Sequence, residues 1–218
     1  MSGTIVAGRD PLPTTLGGVN VLVNGIPAPI FSVAYANGED QISFQVPYDT
    51  PVGPNAGRVR VLDQGFETAS LFVDSFTEDP GIFMYRGQYA VAVSGDDYSL
   101  IGPNNPTFPG EALVLYTTGL GPLSLRLADG FGAPFNPLAY TTQPFDVFLD
   151  GERCRVLFSG LAPGFVGLYQ VNFVVPSDAR SGYLNLQIQS PFSNSAMALL
   201  PVDSRASNRP AGKSETLK

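Results

Sequence analysis

The residue types that carry most hydrolytic chemistry are missing from this chain. It contains no histidine, and its two lysines, Lys213 and Lys218, lie in the last six residues. Ser-His-Asp, Cys-His and imidazole-zinc sites all need histidine, so the sequence excludes them. A Schiff-base or P-loop lysine within the folded body is excluded in the same way. We therefore predict no catalytic residues and a protein that is not an enzyme.

Carboxylates could still act as catalytic acids or bases. Six of them form three adjacent pairs, which are Glu39-Asp40, Glu78-Asp79 and Asp96-Asp97. Neighbouring residues of a strand point to opposite faces, so no pair can by itself form a facing acid-base couple. Loop carboxylates also suit calcium, yet the chain has no Asp-x-Asp-x-Asp-Gly loop. We predict no metal ligands and no cofactor, with a structural calcium ion as an open alternative.

Tyrosines gather around the third acidic pair. Tyr85, Tyr89 and Tyr98 flank Asp96 and Asp97, and tyrosine beside carboxylate is a chemistry that sugar-binding sites use. Aromatic residues in β-domains also pack seams between domains, and the chain has no tryptophan. These five residues are the candidate ligand-binding site, with a glycan as the alternative partner to a protein.

Cys154 is the single cysteine, so the fold has no internal disulfide. It aligns with Ala28 of a repeated segment described below, which indicates a small core residue rather than a nucleophile. The compartment stays open on this evidence, since many secreted β-domains lack disulfides.

Charge separates the body from the C-terminal segment. Residues 1–203 hold eight arginines against eighteen acidic residues, whereas 204–218 hold four basic residues against Glu215. An acidic body repels phosphate, which argues against nucleic acid and anionic membrane as partners. No apolar run reaches the roughly 20 residues that cross a bilayer, which argues against membrane insertion, and the N-terminus does not resemble a signal peptide.

The chain repeats itself. A shift of 126 places Pro11 on Pro137, Val21 on Val147 and Gly25 on Gly151, and a shift of 129 places 41–47 on 170–176. Asn24-Gly25 and its counterpart Asp150-Gly151 favour the type I′ turns of hairpins. Apolar and polar residues alternate over 41–46, as in a strand with one buried face. We predict that residues 112–117 form the opening strand of the second copy. The shorter segment 4–8 is its expected counterpart in the first copy.

These patterns predict an all-β protein of two tandem immunoglobulin-like β-sandwich domains joined by a short β-containing linker. The predicted boundaries are 1–76 for the first repeat, 77–110 for the connecting segment, 111–203 for the second repeat and 204–218 for a polar basic tail. The opening strand of the first repeat is expected to be incomplete.

Several sequence blocks resemble the Solibacter-type uncharacterised C-terminal domain family. They are 11–19, 23–29, 41–47, 80–83, 118–122 and 160–172, in family order over almost the whole chain. The resemblance implies an acidobacterial, extracellular or cell-surface module of a larger exported protein, with immunoglobulin-like (IPT/TIG-like) halves. It brings no known activity and no catalytic residues.

We therefore expect a non-enzymatic module serving adhesion, spacing or assembly, whose partners are proteins, either itself or domains of its parent protein. One alternative is a self-assembling filament or surface-layer subunit that uses strand addition at a sheet edge. A further alternative is a carbohydrate-binding module.

Overall fold

The structure is a computed structural model that describes residues 3–8, 10–36 and 38–206. It is all-β in these ranges, as predicted, and contains no helix there, so none that could span a membrane. The strands are, in chain order, β1 (Gly3–Val6), β2 (Thr15–Leu16), β3 (Val19–Val23), β4 (Ile26–Pro27), β5 (Ile30–Ala36), β6 (Glu39–Phe44), β7 (Gly53–Asp63), β8 (Phe66–Ser75), β9 (Gly81–Ile82), β10 (Met84–Tyr85), β11 (Tyr89–Ala90), β12 (Ala92–Ser94), β13 (Ala112–Thr118), β14 (Asp146–Leu149), β15 (Glu152–Leu161), β16 (Tyr169–Val174), β17 (Gly182–Gln189) and β18 (Ala198–Val202).

The described chain groups into two compact units. Unit 1 comprises the residues up to Thr77 together with 126–137 and 163–167, and unit 2 comprises 78–125, 138–162 and the residues from Leu168 onward. Two loops from the second repeat thus belong to unit 1. Residues 78–110, which the sequence assigned to a connecting segment, form β9 to β12 of unit 2. Of the predicted tail 204–218, only the first three residues lie within the described part of the chain.

Unit 1 contains two sheets that share a core, consistent with a β-sandwich. One sheet has the order β1-β5-β6, and the other has the order β2-β3-β7-β8 with β4 paired to β3. The alternate apolar residues of the strands meet in one cluster, formed by Val21, Val23, Ala28, Ile30 and Val59. The alternation predicted over 41–46 holds for Ile42 and Phe44, which pack against this cluster, but it fails at its end, where Gln45 is buried and Val46 is 53% exposed.

Unit 2 is built on one continuous sheet with the order β10-β11-β18-β17-β14-β15-β16-β13-β12, and β9 also pairs with β13. Strand β15 connects its two halves, because residues 152–154 pair with β14 and residues 155–161 pair with β16. The side chains inside this curved sheet are almost fully buried; they include Leu113, Leu115, Val147, Val171, Phe173, Leu186 and Leu200.

The predicted hairpin turns are confirmed in both copies. Asn24 and Gly25 have φ angles of 52° and 83°, and Asp150 and Gly151 have φ angles of 49° and 84°. Such positive values are those of a type I′ turn, in which glycine at the second position avoids a Cβ clash. Each turn joins two antiparallel strands, β3 to β4 and β14 to β15.

Candidate functional site at an unpaired strand edge

The hairpin of β5 and β6 has the same register as the hairpin of β15 and β16. In unit 1, Phe44 of β6 lies opposite Ile30 of β5, and a bulge follows Ile30. In unit 2, Phe173 of β16 lies opposite Val156 of β15, and a bulge follows Val156. Because a bulge fixes register, strands β5 and β6 are structurally equivalent to β15 and β16.

In unit 2 the far side of β16 is covered by β13. Leu113 lies opposite Phe173 and Leu115 lies opposite Val171. All four side chains are 0% exposed. Strand β13 therefore completes both the hydrogen-bonded ladder and the apolar core at this side of unit 2.

In unit 1 the strand expected to be equivalent to β13 is β1, but β1 does not pair with β6. Strand β1 pairs with β5, with Ile5 opposite Val33, and the Ala7 N–H donates to the Phe31 carbonyl at 2.8 Å. Among the described residues, no strand pairs with the other side of β6. The expectation that 4–8 is the structural counterpart of 112–117 is thus wrong, because β1 lies on the opposite side of the sheet.

Side-chain burial reflects this difference. Ile42 and Phe44 of β6 are half-buried, whereas the equivalent Val171 and Phe173 are 0% exposed. We call the unpaired side of β6, with the side chains of Ile42 and Phe44, the open edge. The sequence had indicated an incomplete opening strand and strand addition at a sheet edge, but it did not indicate that the edge belongs to β6.

The opposite sheet of unit 1 shows the same incompleteness. Leu71 of β8 lies opposite Val59 of the core, as Ala198 of β18 lies opposite Leu186 in unit 2. Leu71 is 49% exposed, whereas Ala198 is 2% exposed. The core-facing side of β8 is therefore less covered than that of β18.

The two ends of the open edge differ in character. At the end of β6, Gln45 is buried and its Oε1 accepts the Gly130 N–H at 2.7 Å. The Tyr48 N–H donates to Asp129 at 2.9 Å. Burial, and after it the charge of Asp129, raises the pKa of Tyr48. The start of β6 instead exposes two carboxylates, which are Glu39 and Asp40.

The tyrosines and aspartates predicted as a ligand site lie on two segments, which are the hairpin of β10 and β11 and the turn after β12. The rings of Tyr85 and Tyr89 pack 5.6 Å apart, and the Tyr85 hydroxyl donates to the Ile101 carbonyl. Asp96, Asp97 and Tyr98 form the turn after β12. In that turn the Asp96 N–H donates to Ser94, Asp97 accepts the Ser99 N–H, and Tyr98 has a φ of 57°.

Tyr183 is a neighbour of the tyrosine pair that sequence reasoning missed. Its ring lies 5.8 Å from that of Tyr89, and its side chain is exposed. It is an outward-facing residue of β17, and its outward position follows from the alternation of apolar and polar residues along that strand. The three rings are tilted to one another by 40° and 46°, so they pack on each other instead of forming a flat platform.

Cys154 is the remaining candidate nucleophile, and it is buried. Cys154 is 4% exposed, and burial, with a further contribution from Glu152, raises the pKa of its thiol to about 12. This agrees with a core residue, because a protonated buried thiol is a poor nucleophile. Within the described residues, no three acidic or cysteine side chains are grouped closely enough to hold a metal ion.

Comparison with known proteins adds no functional assignment. A scan against protein-family models finds no matching family, and a search of curated proteins finds no similar sequence. The function is therefore inferred from the geometry of the open edge.

Proposed function

We propose that this chain is a non-enzymatic module for adhesion, spacing or assembly, and that unit 1 joins it to a neighbour by accepting a strand at the open edge. In this proposal the two copies are tandem immunoglobulin-like sandwiches. The family resemblance supports an extracellular or cell-surface location within a larger exported protein. Unit 2, whose core is covered by β13, acts as the rigid support.

One observation carries the proposal: equivalent core residues are covered by a strand in unit 2 and uncovered in unit 1. An unpaired strand presents N–H and C=O groups that another chain can bond, and proteins usually shield such edges with charge, proline or bulges. The core-facing side of β6 instead presents Ile42 and Phe44. Addition of a strand would satisfy the backbone groups and bury these side chains at once.

The experiment supplies the missing strand in the same molecule. Residues 111–118 are fused before residue 1 through a flexible Gly/Ser linker of about 15 residues, long enough to span a small domain. We expect a higher unfolding midpoint for unit 1 and slower hydrogen exchange at the amides of 41–45. The matched control carries serine at both leucine positions of the added segment, which keeps the linker and removes the apolar contacts.

Two results would contradict the proposal. One is an unchanged unfolding midpoint in the fused chain. The other is equal stabilisation by the leucine and serine versions, because that would show an effect of the linker alone.

Self-assembly through the same edge is the variant of this function in which a second copy supplies the strand. Ile42→Lys places a charge on the open edge, at a half-buried side chain, and Leu157→Lys changes a residue of unit 2 that is 49% exposed. If copies assemble through the open edge, light scattering will show concentration-dependent growth that Ile42→Lys abolishes and Leu157→Lys leaves intact. A wild-type chain that is monomeric at every concentration excludes this variant.

A carbohydrate-binding function has one observation in its favour, which is the tyrosine group of Tyr85, Tyr89 and Tyr183. Exposed aromatic rings bind sugars by stacking, and Tyr183 is the most exposed of the three. Glycan-array binding that is lost in Tyr183→Ala and Tyr89→Ala would support it. Array binding that survives both changes would remove the tyrosines from consideration.

A further inference from the structure

The open edge also indicates what kind of strand it accepts, and this step rests on the proposed function. We infer that the accepted segment belongs to another protein and carries two aliphatic residues at alternate positions, followed two residues later by lysine or arginine. Read from its N-terminus, the segment has the pattern aliphatic-x-aliphatic-x-basic.

The aliphatic positions follow from the register in unit 2. Along β13, Leu113, Leu115 and Thr117 lie opposite Phe173, Val171 and Tyr169 in turn. The equivalent residues of β6 are Phe44, Ile42 and Asp40, by the shift that relates the two strands. An antiparallel donor in the same register therefore needs aliphatic side chains opposite Phe44 and Ile42, where it fills the uncovered part of the core.

The basic position follows from a difference in chemistry between the two copies. Tyr169 is 8% exposed and its hydroxyl donates to the Gly121 carbonyl. The equivalent residue in unit 1 is Asp40, which is exposed and adjacent to the exposed Glu39. A cation directly opposite a carboxylate stabilises a strand pair, and an anion there destabilises it. The acidic body of the chain further attracts a basic donor.

The donor is assigned to another protein because the described strands of this chain are already engaged. In a second copy of this chain, β1 is the strand that was expected to pair at this edge, but it pairs with β5 from Gly3 to Val6. The bond from the Ala7 N–H to the Phe31 carbonyl extends that pairing by one residue. If a second copy donated its β1 to the open edge, the β5 of that copy would lose its partner strand. One sheet edge would be covered and another exposed.

The test uses synthetic peptides with the full chain. The parent peptide has the sequence of residues 111–118, and two derivatives carry lysine or glutamate at the position of Thr117. Isothermal titration calorimetry should show one site per chain. We expect the lysine peptide to bind several-fold more tightly than the parent and the glutamate peptide several-fold more weakly. Serine at both leucine positions should weaken binding at least tenfold.

A protein variant isolates the charge effect. Asp40→Lys changes an exposed side chain, so folding should be preserved, and the order of affinities should reverse in favour of the glutamate peptide. Raising the salt concentration from about 0.05 M to 1 M should remove most of the difference between lysine and glutamate peptides, because exposed charges are screened. The contribution of the leucines should persist at high salt.

The outcomes separate this inference from the proposed function. Stabilisation by the fused strand together with equal binding of lysine and glutamate peptides would overturn the basic position and leave the acceptor function standing. Stabilisation by fusion with no peptide binding would overturn donation by a separate protein. A free chain that is dimeric, and that the peptides cannot dissociate, would assign the edge to a second copy. Failure of both the fusion and the peptides would overturn both proposals.

Discussion

Phe44 and Phe173 occupy equivalent positions in the two copies, but only Phe173 has a strand on both sides. Phe173 lies between Val156 and Leu113 and is 0% exposed, whereas Phe44 has Ile30 on one side and is half-buried. Phenylalanine is thus fully buried at this position in unit 2 and only half-buried at the equivalent position in unit 1.

Truncation of these two phenylalanines should therefore have unequal effects. Phe173→Ala removes a fully buried ring and is expected to lower the free energy of unfolding of unit 2 by about 3–5 kcal/mol. Phe44→Ala removes less buried area and should lower that of unit 1 by roughly half as much. Chemical denaturation followed by separate probes in each unit measures both values. Equal losses would show that β6 is as well covered as β16.

The sequence predicted the parts of the fold that depend on local chemistry. Positive φ at Asn-Gly and Asp-Gly, and the alternation around Ile42, dictated hairpins and strands with one buried face. The partner of each edge could not be predicted in this way. The segment 4–8 has the composition of a strand whichever side of the sheet it joins, and its pairing with β5 depends on long-range packing. Tyr85 and Tyr89 were grouped because they are close in sequence. Tyr183 lies beside them because β17 and β11 are separated by one strand in the sheet, which the sequence does not show.

The turn residues Asn24 and Asp150 make the same bond in both copies. Asn24 Oδ1 accepts the Arg58 N–H at 2.8 Å, and Asp150 Oδ1 accepts the Asn185 N–H at 2.8 Å. Asp150 also forms an ion pair with Arg180, whose side chain is largely exposed.

Substitution at this turn should separate the hydrogen bond from the charge. Asp150→Asn keeps an oxygen for the backbone N–H and loses an ion pair whose Arg180 side chain is 66% exposed, so it should lower the free energy of unfolding by less than about 1 kcal/mol. Asp150→Ala also loses the hydrogen bond and places alanine at positive φ, with an expected loss of about 1–3 kcal/mol. Thermal unfolding of the two variants checks the order. Equal losses would show that the ion pair dominates, because both variants remove it.

Glu78 is a buried carboxylate whose two oxygens have no hydrogen-bond partner in the described structure, and it is 6% exposed. Burial of polar atoms without hydrogen-bond partners costs free energy, so an apolar side chain of similar size should be preferred. We expect Glu78→Met to raise the free energy of unfolding by about 1 kcal/mol or more. The neighbouring Asp79 is exposed, so Asp79→Leu is the matched control and should change little. Destabilisation by Glu78→Met would contradict this expectation.

The thiol of Cys154 should be inert in the folded chain. Burial, aided by Glu152, raises its pKa from 9.0 to about 12, so the thiolate fraction at pH 8 is only about one in ten thousand. A maleimide or disulfide reagent should modify it at the rate of unfolding, and rapidly in denaturant. Fast labelling of the native chain would show that the site opens without unfolding.

The same shift predicts how stability depends on alkaline pH. Below pH 9 the thiol is protonated in both states and contributes no pH dependence. Between pH 9 and about 12 the unfolded thiol loses its proton and the folded one keeps it, so the unfolded state binds fewer protons and stability falls as pH rises. The slope from this group approaches about 1.4 kcal/mol per pH unit.

Tyr48 and Tyr116 also have raised pKa values and act in the same direction, so Cys154→Ala is needed to isolate the thiol. Urea unfolding from pH 8 to 10.5 should show a shallower decline in Cys154→Ala, and parallel declines would refute the assignment to Cys154.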